Sequence, residues 1–495
     1  MKVALINPPP ASAYDEHWAR FPVLGVAYLA ASLRAAGHDV LLLDGKLGRL
    51  SAAEIVDRTL SYAPELVGIT CMTVEFPMLA TIATAIKSRS GVPVIAGGAH
   101  INAVRSLALE ECESIDFGCV GEGEYLITEI AEALRTGADP GSVAGLLYRN
   151  NSGSNGSHVV FSGERGYPKD YDLMPFPAWD LFDVGDQIPI LTHRGCPFLC
   201  TFCGHNSGFK ARFRTPHNVI EEIECDISLF KPKVIRFEDE TFGLDLKRTK
   251  AIIGLIIQRR LHRSVRFSAQ TRVDKIDFEF VEMLKDANFE TLELGVESGN
   301  AEILKKTKKG ITLDQVERAV TMAKSMGLKV WCKFILGHPG ETLDTIRDTM
   351  QFISKLNPDQ LSVAIMTPYP GTPIHEMARK GEGGYILKGR DWKDYDKYST
   401  GVLELESVSL GQLKLYQILC YARLYLFNSR FRDGFFLLWN HFGMATSMVA
   451  EVCLGFMRFG GRLPKGEDHG GHERRADAAE RHRGLQARGG ATGRR

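Results

Sequence analysis

Three cysteines lie on one eight-residue stretch, Cys196, Cys200 and Cys203, spaced Cys-x3-Cys-x2-Cys with Phe202 just before the third. Thiolates are soft ligands, and three on one short loop can hold three corners of a four-iron, four-sulfur cluster. The fourth iron then has no ligand from this loop and stays open to another molecule. A simple electron carrier closes all four corners, so an open corner points to chemistry at the cluster. The same spacing admits a structural zinc knuckle with His193 or His205 as fourth ligand. Zinc fingers usually draw ligands as two separated pairs, which ranks that alternative second.

The other cysteines, Cys71, Cys112, Cys119, Cys225, Cys332, Cys420 and Cys453, stand singly and mostly in apolar surroundings. This pattern predicts a cytoplasmic protein with buried thiols and one ligand loop, not a disulfide framework. The 495 residues carry 60 basic and 60 acidic side chains, so no global field favours nucleic acid. Hydrophobic content of 44% with 24% charged residues reads as soluble, globular and built of two or three domains. Met1 to Pro8 reads as a strand entering a turn and not as a signal peptide.

Residues 1–137 alternate apolar runs with helical patterns. Strands are predicted at Val3–Ile6, Val40–Leu43, Leu66–Thr70, Val92–Ala96 and Phe117–Val120, with helices such as Leu24–Ala36 and Met78–Lys87 between them. Such repeats predict an α/β, Rossmann-like domain with a doubly wound parallel sheet, whose ligands lie beyond the carboxyl ends of the strands. Those ends carry Asn7 and Pro8, Asp44, Gly68 and Thr70, Gly97, Gly98 and His100, and Gly121-Glu122-Gly123-Glu124. The last string lacks the third glycine of a dinucleotide loop, since Leu126 stands there, and its glutamates would repel a pyrophosphate. A nicotinamide or flavin dinucleotide is therefore not expected. Residues 138–185 read as a linker, with a polar turn at 151–158 and Pro175, Pro177 and Trp179 beyond it. From 186 to 385, strands are predicted at Pro189–Thr192, Val234–Phe237, Val265–Ala269, Thr291–Gly295, Val330–Leu336 and Leu361–Ile365, separated by helices such as Asn218–Leu229, Leu244–Arg260 and Leu313–Met326. Six βα units predict a partial TIM barrel with its ligands at the carboxyl ends of the strands.

The cysteine loop with Phe202 resembles the signature of the radical S-adenosylmethionine (SAM) enzymes. The motifs that follow it in order, over about 190 residues, extend the resemblance. It implies that the open iron chelates the amino and carboxylate groups of SAM and that the reduced cluster cleaves SAM to a 5′-deoxyadenosyl radical. It places Glu238 and Asp239, in Glu238-Asp239-Glu240-Thr241-Phe242, near the SAM amino end, and Arg272 near its carboxylate. Glu297 would accept the ribose hydroxyls and Ser298 would meet the methionine carboxylate. Ile335 and Gly337, in Phe334–Glu341, would flank adenine, and Thr367–Pro373 closes the sixth strand. Read as residues alone, Glu238–Glu240 also fits a solvated loop and Arg272 a surface ion pair. His338 reads as loop structure, and Cys332 as a small buried hydrophobe rather than a hydrogen-atom donor.

The first 135 residues or so resemble the cobalamin-binding domain that precedes the catalytic domain in one radical SAM subfamily. That resemblance makes cobalamin the third cofactor, with the Gly97–His100 and Gly121–Glu124 loops lining the corrin crevice. The lower axial histidine motif is missing, since Asp15-Glu16-His17-Trp18-Ala19-Arg20 has no glycine at its end. The implied activity is methylation of an unactivated carbon or a phosphorus centre, with SAM as methyl source and an external flavodoxin- or ferredoxin-type electron donor. A non-methylating radical cyclisation, ring rearrangement or anaerobic oxidation is the alternative within this architecture. A corrinoid-binding redox sensor or carrier is the alternative outside it.

Residues 386–460 read as helical and aromatic, including Leu413–Phe427 and Phe435–Met457, and predict a lid over the barrel for a hydrophobic small-molecule substrate. The longest stretch free of Asp, Glu, Lys and Arg, Gly434 to Ala450, has 17 residues, short of a membrane span. With Arg430 and Arg432 ahead of it, the 430–457 segment also fits peripheral contact with a membrane surface. Residues 461–495, rich in Gly, Arg, Glu and His, read as a disordered tail.

Overall fold

Apolar runs bounded by Gly, Pro, Asn and Asp form the strands, and most helices open on a side-chain cap. Ser51, Thr312, Thr342 and Ser409 each complete a capping box. The computed structural model describes residues 1–10, 21–150, 158–389, 391–398 and 401–440. All of these fall in one compact unit spanning residues 1–448. The Asp15–Arg20 string, the 441–457 segment and the expected tail lie outside the described residues.

The amino-terminal sheet has the order β2-β1-β3-β4-β5-β6-β7. Strands β1 (Lys2–Asn7), β2 (Asp39–Asp44), β3 (Leu66–Thr70), β4 (Val94–Gly97) and β5 (Phe117–Cys119) run parallel. The order reverses between β1 and β3, and an open sheet of this kind forms its crevice at that point. Helices 24–35 and 123–136 cover one face through Val26, Ala30, Leu126 and Ile130, and helices 52–62 and 76–87 cover the other through Ile55, Val56, Leu79 and Ile82. The expected linker at 138–185 is partly sheet. β6 (Leu146–Asn150) and β7 (His158–Phe161) extend the sheet antiparallel, so the sheet runs on to residue 161. The alternation in Leu146–Asn150 is too short to be distinguished from a loop by sequence.

The second sheet has the order β15-β14-β13-β12-β11-β8, all parallel, as expected for a six-unit partial barrel. It comprises β8 (Gln187–Ile190), β11 (Val234–Phe237), β12 (Arg266–Thr271), β13 (Phe289–Glu297), β14 (Lys329–Leu336) and β15 (Gln360–Ile365). A short ribbon, β9 (His193–Arg194) with β10 (Arg212–Phe213), flanks the cysteine loop. Alternate strand residues, Phe237, Phe267, Leu294, Cys332 and Phe334, pack outward against the helices. The intervening positions carry Arg236, Gln270, Glu293 and Lys333. Lys333 Nζ lies 2.6 Å from both Glu293 and Gln270, and Arg236 pairs with Glu293. The barrel interior is thus polar.

The expected lid is built differently. β16 (Tyr385–Leu387) and β17 (Leu403–Leu405) pair antiparallel before the helix Leu410–Phe427 begins. That helix lies along the edge strand β15. Gln417 Nε2 donates to Val363 O at 2.8 Å, and Val363 N donates to the Tyr421 hydroxyl at 3.1 Å. An exposed edge of backbone donors and acceptors invites foreign pairing, and this helix covers it. Tyr421 and Tyr425 pack against the barrel at this edge, so they give no reason to expect a hydrophobic substrate.

Burial perturbs a pair of carboxylates on one barrel helix. Glu222 and Asp226 sit one turn apart on the helix Pro216–Phe230, both buried, with Arg214 paired to Glu222. Burial, reinforced by the Glu222 charge, pushes the Asp226 carboxyl up to about 8. Folding therefore takes up a proton between the unfolded value of 3.8 and about 8, and this stability is lost as pH rises through that window. Asp226→Asn should gain thermal stability relative to the parent as pH goes from about 6 to about 9. Parallel melting curves at the two pH values would refute this.

Candidate active site

The cysteine loop leaves the end of β8 and is held by the loop after β11. Asp239 is fully buried and accepts from Thr192 N and Oγ1, each at 2.7 Å, and from His193 N at 3.1 Å. Burial opposes its ionisation, but His193 at 3.3 Å and the Thr192 donors outweigh this and hold the carboxyl below its usual range. Asp239, expected to meet SAM, is instead consumed in fixing the entry to the loop. Glu240 takes the loop amide of Gly195 at 3.1 Å. Gly195 has φ +88°, and a Cβ there would collide with the carbonyl of Lys210.

Cys200 is buried, while Cys196 and Cys203 are half-buried. The Arg272 guanidinium stacks on Phe198 at 3.6 Å and reaches Cys200 Sγ at 4.0 Å. Its other nitrogens donate to Lys309 O at 2.8 Å and to Asp274 at 2.9 Å. Burial raises the Cys200 thiol, and the charges of Lys309 and Arg272 pull it back. A ligand thiol flanked by two cations suits an anionic iron–sulfur cluster. Among the described residues no three His, Cys, Asp or Glu side chains converge on a point fit for a single metal ion. His193 is held by Asp239 and stacks on Phe213, and His205 stacks on Phe209.

The remaining barrel positions divide. Glu297 sits in a left-handed conformation, φ +70°, beside a register shift in β13, and its carboxylate pairs with Lys309 Nζ at 2.7 Å. Ser298 is fully buried, 3.2 Å from Thr349 Oγ1 and accepting from Asn300 N, so it braces the turn rather than facing a ligand. Gly337 and His338 donate their amides to Glu341, at 2.5 and 3.1 Å. Burial pushes Glu341 up to about 7 against those two bonds. His338 is buried, held down to about 4, and lies 3.3 Å from Glu297 O and 5.9 Å from the half-buried Phe202 ring. Ile335 is half-buried on the inward face of β14, and Cys332 is fully buried on the outward face.

A crevice of about 690 Å³ opens between the two sheets. Its amino-terminal wall includes Asn7, Gly68, Thr70, Gly97, Gly98 and Gly121–Glu124, and its other wall includes Glu238, Glu240 and Arg194. At Gly121, with φ +95°, a Cβ would meet no atom within 4 Å, but it would strain the backbone and take space from the crevice. This glycine-lined, largely apolar cleft fits a broad flat macrocycle such as a corrin. Pro8, Asp44 and His100 are not in its wall. Asp44 accepts Asn7 Nδ2 and the amides of Lys46 and Leu47, closing its own turn. His100 follows the helix start at Ala99, and helical periodicity turns it to the core. Its ring lies 4.6 Å from Phe76 and 4.9 Å from Trp392, and burial lowers it to about 4. Among the described wall residues there is no histidine to serve as an axial ligand.

Glu122 and Glu124 do more than line the crevice. Arg194, two residues before Cys196, donates to Glu124 at 2.6 Å and lies between Tyr28 and Tyr171 at 5.1 and 5.7 Å. Arg212 donates to Glu122 at 2.6 Å, and the Tyr171 hydroxyl reaches the same carboxylate at 2.6 Å. The loop of one domain is thereby ion-paired to both strands of the ribbon that flanks the cysteine loop. Sequence reasoning missed Arg194, Arg212, Lys309 and the choice of Glu240 over Asp239. For Glu240 a signal existed: alternate residues of an extended string share a side, so Glu238 and Glu240 face one way and Asp239 the other.

Residues 190–353 match the family model of the radical SAM superfamily, and residues 19–131 match that of the B12 binding domain. The chain is 32% identical over 437 residues to an uncharacterized methyltransferase of Pyrococcus horikoshii, covering 86% of this chain and 93% of that protein. It is 26% identical over 448 residues to the anaerobic magnesium-protoporphyrin IX monomethyl ester cyclase of Rubrivivax gelatinosus, covering 87% and 78%. The solved structure of TsrM, a radical SAM methyltransferase from Kitasatospora setae with cobalamin and a 4Fe-4S cluster bound, shares the fold at a TM-score of 0.68 and 19% identity, over 86% of this chain and 88% of that one. The chain belongs to the cobalamin-dependent radical SAM methyltransferase family, whose cofactors are a 4Fe-4S cluster, SAM and cobalamin. The sensor or carrier alternative is not favoured.

Arg194→Met should strand Glu124 and cost about 3 kcal/mol, the scale for breaking a buried pair. Adding Glu124→Gln should recover part of that loss in denaturant unfolding. A strictly additive double variant would show that the pair does not couple.

Proposed function

We propose that this enzyme methylates an unactivated centre of a small molecule bound between the crevice and the barrel mouth. The observation that carries this reading is that Glu238, Glu240 and Arg194, which border the cysteine loop, share one crevice with the glycine-lined wall of the B12 domain. When bound, the cluster with SAM would supply a radical that abstracts hydrogen, and cobalamin a methyl group for the resulting substrate radical. The chain's own contribution is placement. Cys196, Cys200 and Cys203 would hold the cluster, with Arg272 and Lys309 balancing its charge. Glu297, fixed by Lys309, and the Gly337 loop, fixed by Glu341, would orient SAM beside it. Gly68, Gly97, Gly98 and Gly121 would let the corrin approach the backbone, while Glu238 and Glu240 face it across the crevice.

The polar barrel interior around Arg236, Glu293 and Lys333 supports a substrate with polar groups. An external one-electron carrier would reduce the cluster. No helix among the described residues is long and apolar enough to cross a membrane. Exposed Leu426 and Phe427, just before the 430–457 segment, and Phe431 and Phe435 at its start support peripheral contact with an apolar surface.

The test is product analysis by mass spectrometry on anaerobically reconstituted protein with SAM and reductant, with and without hydroxocobalamin. 5′-Deoxyadenosine together with corrinoid-dependent S-adenosylhomocysteine is expected, and Cys200→Ala should abolish the deoxyadenosine. Deoxyadenosine with no S-adenosylhomocysteine would overturn methylation in favour of a radical cyclisation or oxidation.

A further inference from the structure

We propose that the ion pair of Lys309 and Glu297 sets the reduction potential of the cluster, Lys309 raising it and Glu297 holding that rise in check. This inference rests on the cluster reading of Cys196, Cys200 and Cys203. Of the four lysines in the run 305–309, only Lys309 is buried. Lys308, with φ +54°, and Gly310, with φ +69°, turn the chain on either side of it. The turn is tied to the cysteine loop, since Thr201 N donates to Thr307 O at 3.0 Å. Arg272, 4.0 Å from Cys200 Sγ, donates to Lys309 O at 2.8 Å. Lys309 Nζ meets Glu297 Oε1 at 2.7 Å.

The pair occupies space that the strand gives up for it. Gly295 stands two residues after Glu293 on β13, and a Cβ there would lie 2.6 Å from Glu297 Oε1 and 2.9 Å from Lys309 Nζ. Glu297 itself is held at φ +70°, a conformation that strains a residue with a side chain. A buried ion pair adds little net stability, because desolvation offsets its attraction. Backbone strain and a vacated side-chain position are therefore not explained by adhesion. What the arrangement secures is charge beside a ligand thiol. Burial raises the Cys200 thiol, and Lys309 is the foremost charge opposing that rise.

Reduction by the external donor adds one electron, and so one negative charge, to a cluster already anionic through its thiolates. A buried ammonium nearby favours the reduced form, and a buried carboxylate paired to that ammonium opposes it. Neither charge is screened by water and salt as a surface charge would be. The other cation near Cys200, Arg272, is matched by Asp274 at 2.9 Å, whose side chain is 19% exposed against 10% for Glu297. Glu297 is the drier of the two counter-ions, so the Lys309 pair is the one that substitution unbalances most.

The test is a redox titration, followed by electron paramagnetic resonance, of the full chain with its cluster reconstituted and no SAM added. It is run at pH about 8, where a carboxylate stays ionised. Lys309→Met should lower the midpoint potential and Glu297→Gln should raise it. Each shift should be about tenfold in the ratio of reduced to oxidised cluster, or about 59 mV. The double variant Lys309→Met/Glu297→Gln should return close to the parent, and Lys309→Arg should stay there. Iron and sulfide content confirms that each variant holds a full cluster. Unchanged midpoints, or shifts of the same sign in both single variants, would overturn the proposal and leave the cluster reading intact. Should Lys309→Met assemble no cluster, Glu297→Gln decides, and a midpoint at or below that of the parent overturns the proposal. A parent protein that gives no reducible cluster signal would instead break the cluster assignment.

Discussion

The contact between Arg194 and Glu124 is the constraint on which the site depends. It joins the residue two positions before the first cysteine of the loop to a loop 70 residues earlier, in the other domain. Around it Arg212, Tyr171 and Glu122 form a second set of charge-assisted bonds, so the ribbon on either side of the cysteine loop is fixed to the crevice rim. Buried ion pairs add little net stability over a well-packed apolar contact, because desolvation offsets most of the attraction. What they do provide is direction. A guanidinium held between two tyrosine rings and two carboxylates has one geometry, and with it the cysteine loop has one distance from the crevice. Two domains whose cofactors must exchange a fragment need a fixed distance more than they need extra adhesion.

Much of this was legible from residue order. The five parallel strands of the first domain and the six of the barrel fall where apolar runs predicted them, because buried parallel strands read as continuous Val, Ile and Leu. The cysteine loop and the glycine-rich strand ends were equally visible. Three kinds of information were not. Partner choice across long separations leaves no local trace, so Glu122 and Glu124 read as crevice lining and not as counter-ions of Arg212 and Arg194. Side-chain direction inside a short motif is lost when the motif is read as a block, which put Asp239 and His100 at a ligand instead of in the core. Ser298 shows a third limit, since a hydroxyl at a turn binds a ligand or its own backbone with the same residue type.

The helix Leu410–Phe427 makes the difference between composition and placement concrete. Its aromatic content suits a lid, yet Gln417 and Tyr421 spend their polar groups on the backbone of Val363. A closed eight-strand barrel has no edge, whereas six strands leave two, at β8 and β15. At the first edge Ile188 packs with Trp179 and with Ala27 of the amino-terminal domain. At the second, Ile365 N donates to Lys397 O, and the neighbouring Trp392 reaches back to Glu111 and the His100 ring of that same domain. The amino-terminal domain therefore touches the barrel near both edges of its gap. An incomplete barrel is then no defect to be patched. The missing strands leave the opening through which the crevice and the polar interior around Arg236 and Lys333 can meet, and covering the edges with a helix and a neighbouring domain keeps that opening from pairing with anything else.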